Sequence, residues 1–105
     1  MSLDNAISAD IGKFNLIQNK LTNIYNGTKN ILTIYSKIDV LCLDKFIIIK
    51  PFDKWILGIG EISIISIEYP NKSKYLHLYG KMNNEEINKI IYCSNQLNIN
   101  VTFEE

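Results

Sequence analysis

A chain of 105 residues with 47% apolar and 21% charged side chains can bury a core of its own, which excludes disorder and leaves folding without need of a metal or disulfide. Eleven lysines balance eleven acids, and arginine is absent, so the chain offers neither a basic stripe nor the guanidinium fork that reads phosphates and guanine edges. A nucleic-acid partner is therefore not expected, and no apolar run is long enough to span a bilayer.

The charge is also spread evenly. Residues 1–52 carry six lysines against four aspartates, and residues 53–105 carry five lysines against seven acids. Cys42 and Cys93 lack the spacing of a zinc site and read as reduced thiols, with a disulfide only if the protein is exported. No basic start followed by an apolar run is visible, so a cytoplasmic, reducing location is expected. Asn26, Asn71 and Asn100 each open an Asn-x-Ser/Thr sequence, which a chain this rich in asparagine contains by chance.

In chain order, Met1-Ser-Leu3 reads as a start remnant. Ile7, Ile11, Phe14, Ile17 and Leu21 recur at helical spacing, with Asp4 as a cap, so residues 1–25 are predicted as a mainly helical segment. Strands at Phe14–Leu16 and Leu21–Tyr25 are the competing reading. Asn26-Gly27 is a turn. Residues 26–80 are predicted as an antiparallel sheet: Ile31–Tyr35, Ile38–Leu43, Phe46–Lys50, a short Trp55–Leu57, Glu61–Tyr69 and Tyr75–Tyr79, rich in β-branched and aromatic residues and broken by polar turns. Gly58-Ile59-Gly60 is read as a bulge or bend, since it lacks the sequence of a phosphate loop. The parity switch between Ile64 and Ile65 reads as a bulge as well. Residues 83–98 form a capping helix, opened by Asn83, striped by Ile87, Ile90, Ile91 and Leu97, and braced by a Glu85–Lys89 pair. Residues 99–103 alternate as a short terminal strand.

Leu43-Asp-Lys-Phe-Ile-Ile-Ile49, Gly60-Glu-Ile-Ser-Ile-Ile-Ser-Ile-Glu-Tyr69 and Tyr75-Leu-His-Leu-Tyr-Gly80, followed by the helix through Asn95-Gln-Leu97 and by Ile99-Asn-Val101, give an order of strands and turns that resembles bacterial pleckstrin-homology-like (PH-like) domains. The resemblance covers about two thirds of the chain and is a pattern, not a motif. It implies an α+β fold, a bent antiparallel sheet or partly open barrel of five to seven strands capped by the C-terminal helix. It does not carry lipid specificity: the basic cluster such domains place around the first hairpin is reduced here to Lys29 and Lys37.

No catalytic constellation emerges, and neither a cofactor nor a metal site is expected. His77 is the sole histidine and has no spaced companions for a metal or a base role. Ser63 and Ser66 have no nucleophile elbow around them. Glu85 and Glu86 are explained by helix capping. The aromatic set Tyr75, His77 and Tyr79 shares one face of a strand. With Trp55 nearby and Lys72 and Lys74 beside it, that set is the candidate binding surface, unless the N-terminal helix covers it. The expectation is a non-catalytic module for a protein or peptide, a second copy included, with edge-strand pairing as one mode. Peripheral contact with an anionic membrane and a small enzyme using His77 are the alternatives.

Overall fold

The computed structural model describes residues 3–105, with side chains from Ile11 onward. The start remnant at Met1-Ser2 and the capping role of the Asp4 side chain lie outside what is described. In order, the elements are α1 (Leu3–Tyr25), β1 (Thr28–Leu32), β2 (Lys37–Leu41), β3 (Lys45–Pro51), a 3-10 turn (Phe52–Lys54), α2 (Trp55–Glu68), β4 (Ser73–Tyr79), α3 (Asn84–Gln96) and β5 (Asn100–Glu104). The fold is α+β, with one open five-stranded sheet in the order β1-β2-β3-β4-β5.

The first half of the sheet is a meander. β1 pairs antiparallel with β2, and β2 with β3. α1 ends at Asn26, whose φ is 52°. The Gly27 N–H then donates to the Thr22 carbonyl at 2.9 Å. A Cβ at Gly27 would stand 2.7 Å from Val40 Cγ1, so only glycine lets the chain turn this close to β2.

The second half is built differently. β3 pairs parallel with β4 and β4 parallel with β5, so each connection crosses the sheet as a helix. Right-handed crossovers put α2 and α3 on the same face, where Ile62, Ile65 and Ile90 join Ile38, Phe46, Ile48, Leu76 and Leu78 in one cluster. α1 covers the opposite face, packing Ile17 and Leu21 on Val40, Cys42, Ile47, Ile49 and Tyr79. Covered on both sides, β3 buries Phe46, Ile47, Ile48 and Ile49 in an unbroken run. Cys42 belongs to the α1 face and Cys93 to α3, so the sheet stands between the two free thiols.

Several local expectations are overturned. The strands predicted at Trp55–Leu57 and Glu61–Tyr69 are a single helix, α2. The β-branched composition argued for sheet, and the apolar outer face (Ile56, Leu57, Ile64 and Ile67 are all exposed) hid the amphipathic period. The buried positions Gly58, Ile62 and Ile65 fall at i, i+4 and i+7. The parity switch at Ile64–Ile65 is thus helical period and not a bulge. The glycine that read as a strand break lets the helix sit down on the sheet, because a Cβ at Gly58 would lie 2.6 Å from Leu76 Cδ1. α3 is capped by the Asn83 side chain, which accepts from the N–H groups of Glu85 (2.9 Å) and Glu86 (3.2 Å). Lys89 pairs with Glu86 at 3.1 Å instead of the expected Glu85. The expected stripe is also shifted: Ile90 and Ser94 are buried, whereas Ile91 and Leu97 are exposed.

These assignments separate two kinds of α2 position. Ile62→Ala and Ile65→Ala should each cost about 2–5 kcal/mol in urea denaturation. Ile64→Ala and Ile67→Ala, on the solvent side, should cost less than about 1 kcal/mol. Ser94→Ala is expected to be neutral or stabilising by about 1 kcal/mol, because the buried Ser94 hydroxyl has no partner among the described residues.

Candidate functional site

Tyr75, His77 and Tyr79 stand on the β4 face beneath α1. His77 is 7% and Tyr79 5% exposed, and Tyr75 is half-buried. Trp55 opens α2 and packs on the opposite cluster, so the sheet separates it from them. The Lys72 ammonium donates to the carbonyls of Cys42 (2.9 Å) and Leu43 (2.7 Å). Lys74 donates to the Leu97 carbonyl at 3.3 Å. The structure thus groups the three aromatic residues, places Trp55 elsewhere, and gives both lysines carbonyl partners.

His77 is part of a polar chain that ties α1 to β5. Its Nε2 lies 3.0 Å from Glu104 Oε1, and its Nδ1 2.7 Å from Thr102 Oγ1. A carboxylate only accepts, so Nε2–H donates to Glu104 and the Thr102 hydroxyl donates to Nδ1, which fixes the neutral tautomer. Glu104 Oε2 meets the Lys20 ammonium at 2.6 Å. Burial lowers the His77 pKa below its ordinary 6.5, against the opposing pull of Glu104. The hydrogen bond from Lys20 is the main cause that lowers Glu104.

A second polar cluster was missed in the sequence. The β2–β3 ladder joins Val40 to Ile47 and Leu41 to Phe46. Where it stops, Asp39 turns its carboxylate into the gap and Oδ2 accepts from the Ile49 N–H at 2.8 Å. Lys37 stands 3.8 Å from Asp39 Oδ1, and Lys50 pairs with Glu61 of α2 at 2.8 Å. From α1, the buried Gln18 amide donates to the Asp39 carbonyl (3.0 Å) and to Asn30 Oδ1 (2.9 Å). Burial raises the Asp39 pKa, opposed first by the Ile49 N–H and then by Lys37 and Lys50. The available signal was a carboxylate inside an Ile-Asp-Val-Leu run, since a charge in a buried strand is the informative exception.

Three hollows open among the described residues. An open cavity of about 340 Å³ lies at the C-terminal ends of β3 and β4, lined by Lys13, Pro51, Phe52, Asp53, Tyr79, Gly80 and Lys81. A groove of about 190 Å³ runs between the β1–β2 hairpin and α2, lined by Ile34, Tyr35, Ile64, Ile67 and Glu68. A small hollow of about 80 Å³ sits beneath α1 at Tyr75, His77 and Thr102. Among the described residues, no helix is long and apolar enough to cross a membrane.

With this geometry in place, the chain can be set beside known proteins. No protein-family model matches it, and no solved structure does. It is similar to two proteins of Acanthamoeba polyphaga mimivirus, both named for a KilA-N domain. Protein L33 is 40% identical over 76 residues, covering 70% of this chain and 31% of that protein. Protein R878 is 35% identical over 79 residues, covering 74% of this chain and 22% of that protein. The chain spans less than a third of the length of these relatives.

These findings correct three expectations. The PH-like resemblance fails, because the similar proteins are of another kind and the second half of the sheet is joined by helical crossovers, not by hairpins. The bacterial source that came with it is replaced by viral relatives. The exclusion of nucleic acid, drawn from charge and the absence of arginine, does not stand beside the likeness to two proteins named for a KilA-N domain.

The polar chain makes stability depend on pH. Because the folded-state pKa of His77 is lowered, the unfolded chain takes up the proton first on acidification. The contribution of His77 is full above 6.5 and is lost as pH falls below it. Glu104, also lowered, adds a loss beginning below 4.5. Asp39, raised from 3.8, has the opposite sign: its contribution declines as pH rises from there through its folded value. Thermal melts should therefore show Tm falling as pH drops from about 7 to about 5, and His77→Gln should flatten that slope.

Proposed function

We propose that the chain is a non-catalytic binding domain working in a nucleic-acid-associated protein of viral type. The observation that carries this reading is the 40% identity to L33 across 70% of the chain. L33 is named for a KilA-N domain, and on this reading that domain is where the protein meets DNA; the matched segment covers 31% of L33. Composition limits the strength of contact. With no arginine and zero net charge, affinity would come from a few lysine–phosphate contacts and not from a long basic face.

Fluorescence anisotropy with a labelled duplex and a labelled single strand tests this. The expected result is weak, saturable binding at low salt, with a log K against log salt slope of roughly −2 to −3, the value for two or three neutralised phosphates. Absence of binding to either probe at about 50 mM salt and at protein concentrations of about 100 μM would reject the reading.

A further inference from the structure

The lysines are not equivalent. Lys20, Lys37, Lys50 and Lys89 pair with acids. Lys29 bonds the Asn19 side chain, while Lys72 and Lys74 bond main-chain carbonyls. Lys45 lies 3.7 Å from the centre of the Tyr25 ring and 5.0 Å from that of Tyr75. Among the described residues, four lack a polar partner: Lys45, which meets only aromatic rings, and a group of three, Lys13, Lys54 and Lys81. The Lys13 ammonium lies 5.8 Å from the centre of the Tyr79 ring.

All three gather at one end of the sheet. Lys54 closes the 3-10 turn that follows β3, Lys81 follows the end of β4, and Lys13 reaches the same edge from α1. Lys13 and Lys81 line the 340 Å³ cavity there. Gly80, at φ 108°, sets the bend that precedes Lys81. A Cβ there would meet nothing within 4 Å, so the glycine serves the backbone angle and not the space. Phe52 and Tyr79 also line it, each almost wholly buried so that only an edge reaches the cavity, and Asp53 is the one acid among the described lining residues.

The geometry points to a phosphate-binding site in this cavity, taking a phosphate group attached to a nucleoside. Lys13 and Lys81 hold the phosphate, and the Phe52 and Tyr79 side of the wall takes the apolar part of the ligand. The volume falls in the range of small-ligand sites, which are mostly apolar with a few placed polar groups. The cavity alone does not distinguish a free nucleotide from a nucleotide within a strand. The inference rests on the nucleic-acid reading only for that choice of source.

The test titrates the whole chain with inorganic phosphate, AMP and a short oligothymidylate, following amide shifts by NMR. The expected result is saturable shifts at Phe52–Lys54 and Tyr79–Lys81, stronger for AMP than for phosphate. Lys13→Met with Lys81→Met should weaken AMP binding at least tenfold, whereas Lys89→Met, far along α3, should leave it unchanged. Asp53→Asn should tighten binding by about threefold by removing a like charge, a gain that misfolding cannot mimic. Circular dichroism melts confirm that each variant folds. Unsaturated shifts spread over all lysines, or equal AMP affinity in the double variant, would overturn the site. If the oligonucleotide binds wild type and double variant alike and AMP does too, the cavity is wrong and the nucleic-acid reading stands. If AMP binds here and no oligonucleotide binds anywhere, the site stands and that reading fails.

Discussion

β3 and β4 run in the same direction through seven paired residues, Lys45–Pro51 against Ser73–Tyr79. A parallel pair cannot be joined by a tight turn, so the chain must travel back the length of a strand before β4 can begin. A helix of fourteen residues, the length of α2, rises about 21 Å, and a strand of seven spans about 23 Å. The match accounts for a helix made of poor helix formers. Its stability comes from Ile62 and Ile65 set against Phe46, Ile48 and Leu76, not from intrinsic propensity. α3 repeats the solution one strand further on, and its covering of the same face leaves α1 to close the other.

The α1 face is held by fewer apolar contacts and more polar ones. Gln18 anchors the middle of the helix to the Asp39 carbonyl, and Lys20 reaches Glu104 at the far edge of the sheet. Between them His77 is buried neutral, with both ring nitrogens occupied. Polar groups sealed beneath a helix are costly when unpaired, so each of these bonds specifies where α1 lies as well as stabilising it. The acid sensitivity of His77 and Glu104 therefore falls on the docking of this one helix.

Much of the architecture was legible because local signals agreed with it. Asn26-Gly27 ends α1, Asn83 caps α3, and the Ile7–Leu21 spacing marks the N-terminal helix. α2 was not legible, because its composition and its exposed isoleucines both argued for sheet. Only the spacing of Gly58, Ile62 and Ile65 carried the helix, and the parity switch at Ile64–Ile65 was its trace. The site residues show the same limit. Period two placed Tyr75, His77 and Tyr79 on one face correctly, but which helix covers that face is a tertiary fact. Asp39, Lys50 and Glu61 lie on three elements, and no spacing in the chain announces that α2 brings the last of them to the first two.

Net charge misled for a related reason. A sum over the chain treats every lysine as available, yet most of the eleven are already engaged by carboxylates, carbonyls, an amide oxygen or aromatic rings. What a polyanion meets is the remainder and its position. Screening confines exposed charges to a range of about 8–10 Å at moderate salt, so acids at the opposite end of the sheet, such as Asp44 before β3 and Glu68 at the end of α2, do little to cancel a group at the β3–β4 exit. A neutral chain can in this way present one local cationic end. The parallel pairing that requires α2 also creates that end, because two neighbouring strands finish side by side at Pro51 and Tyr79 and their lysine-bearing exits begin together.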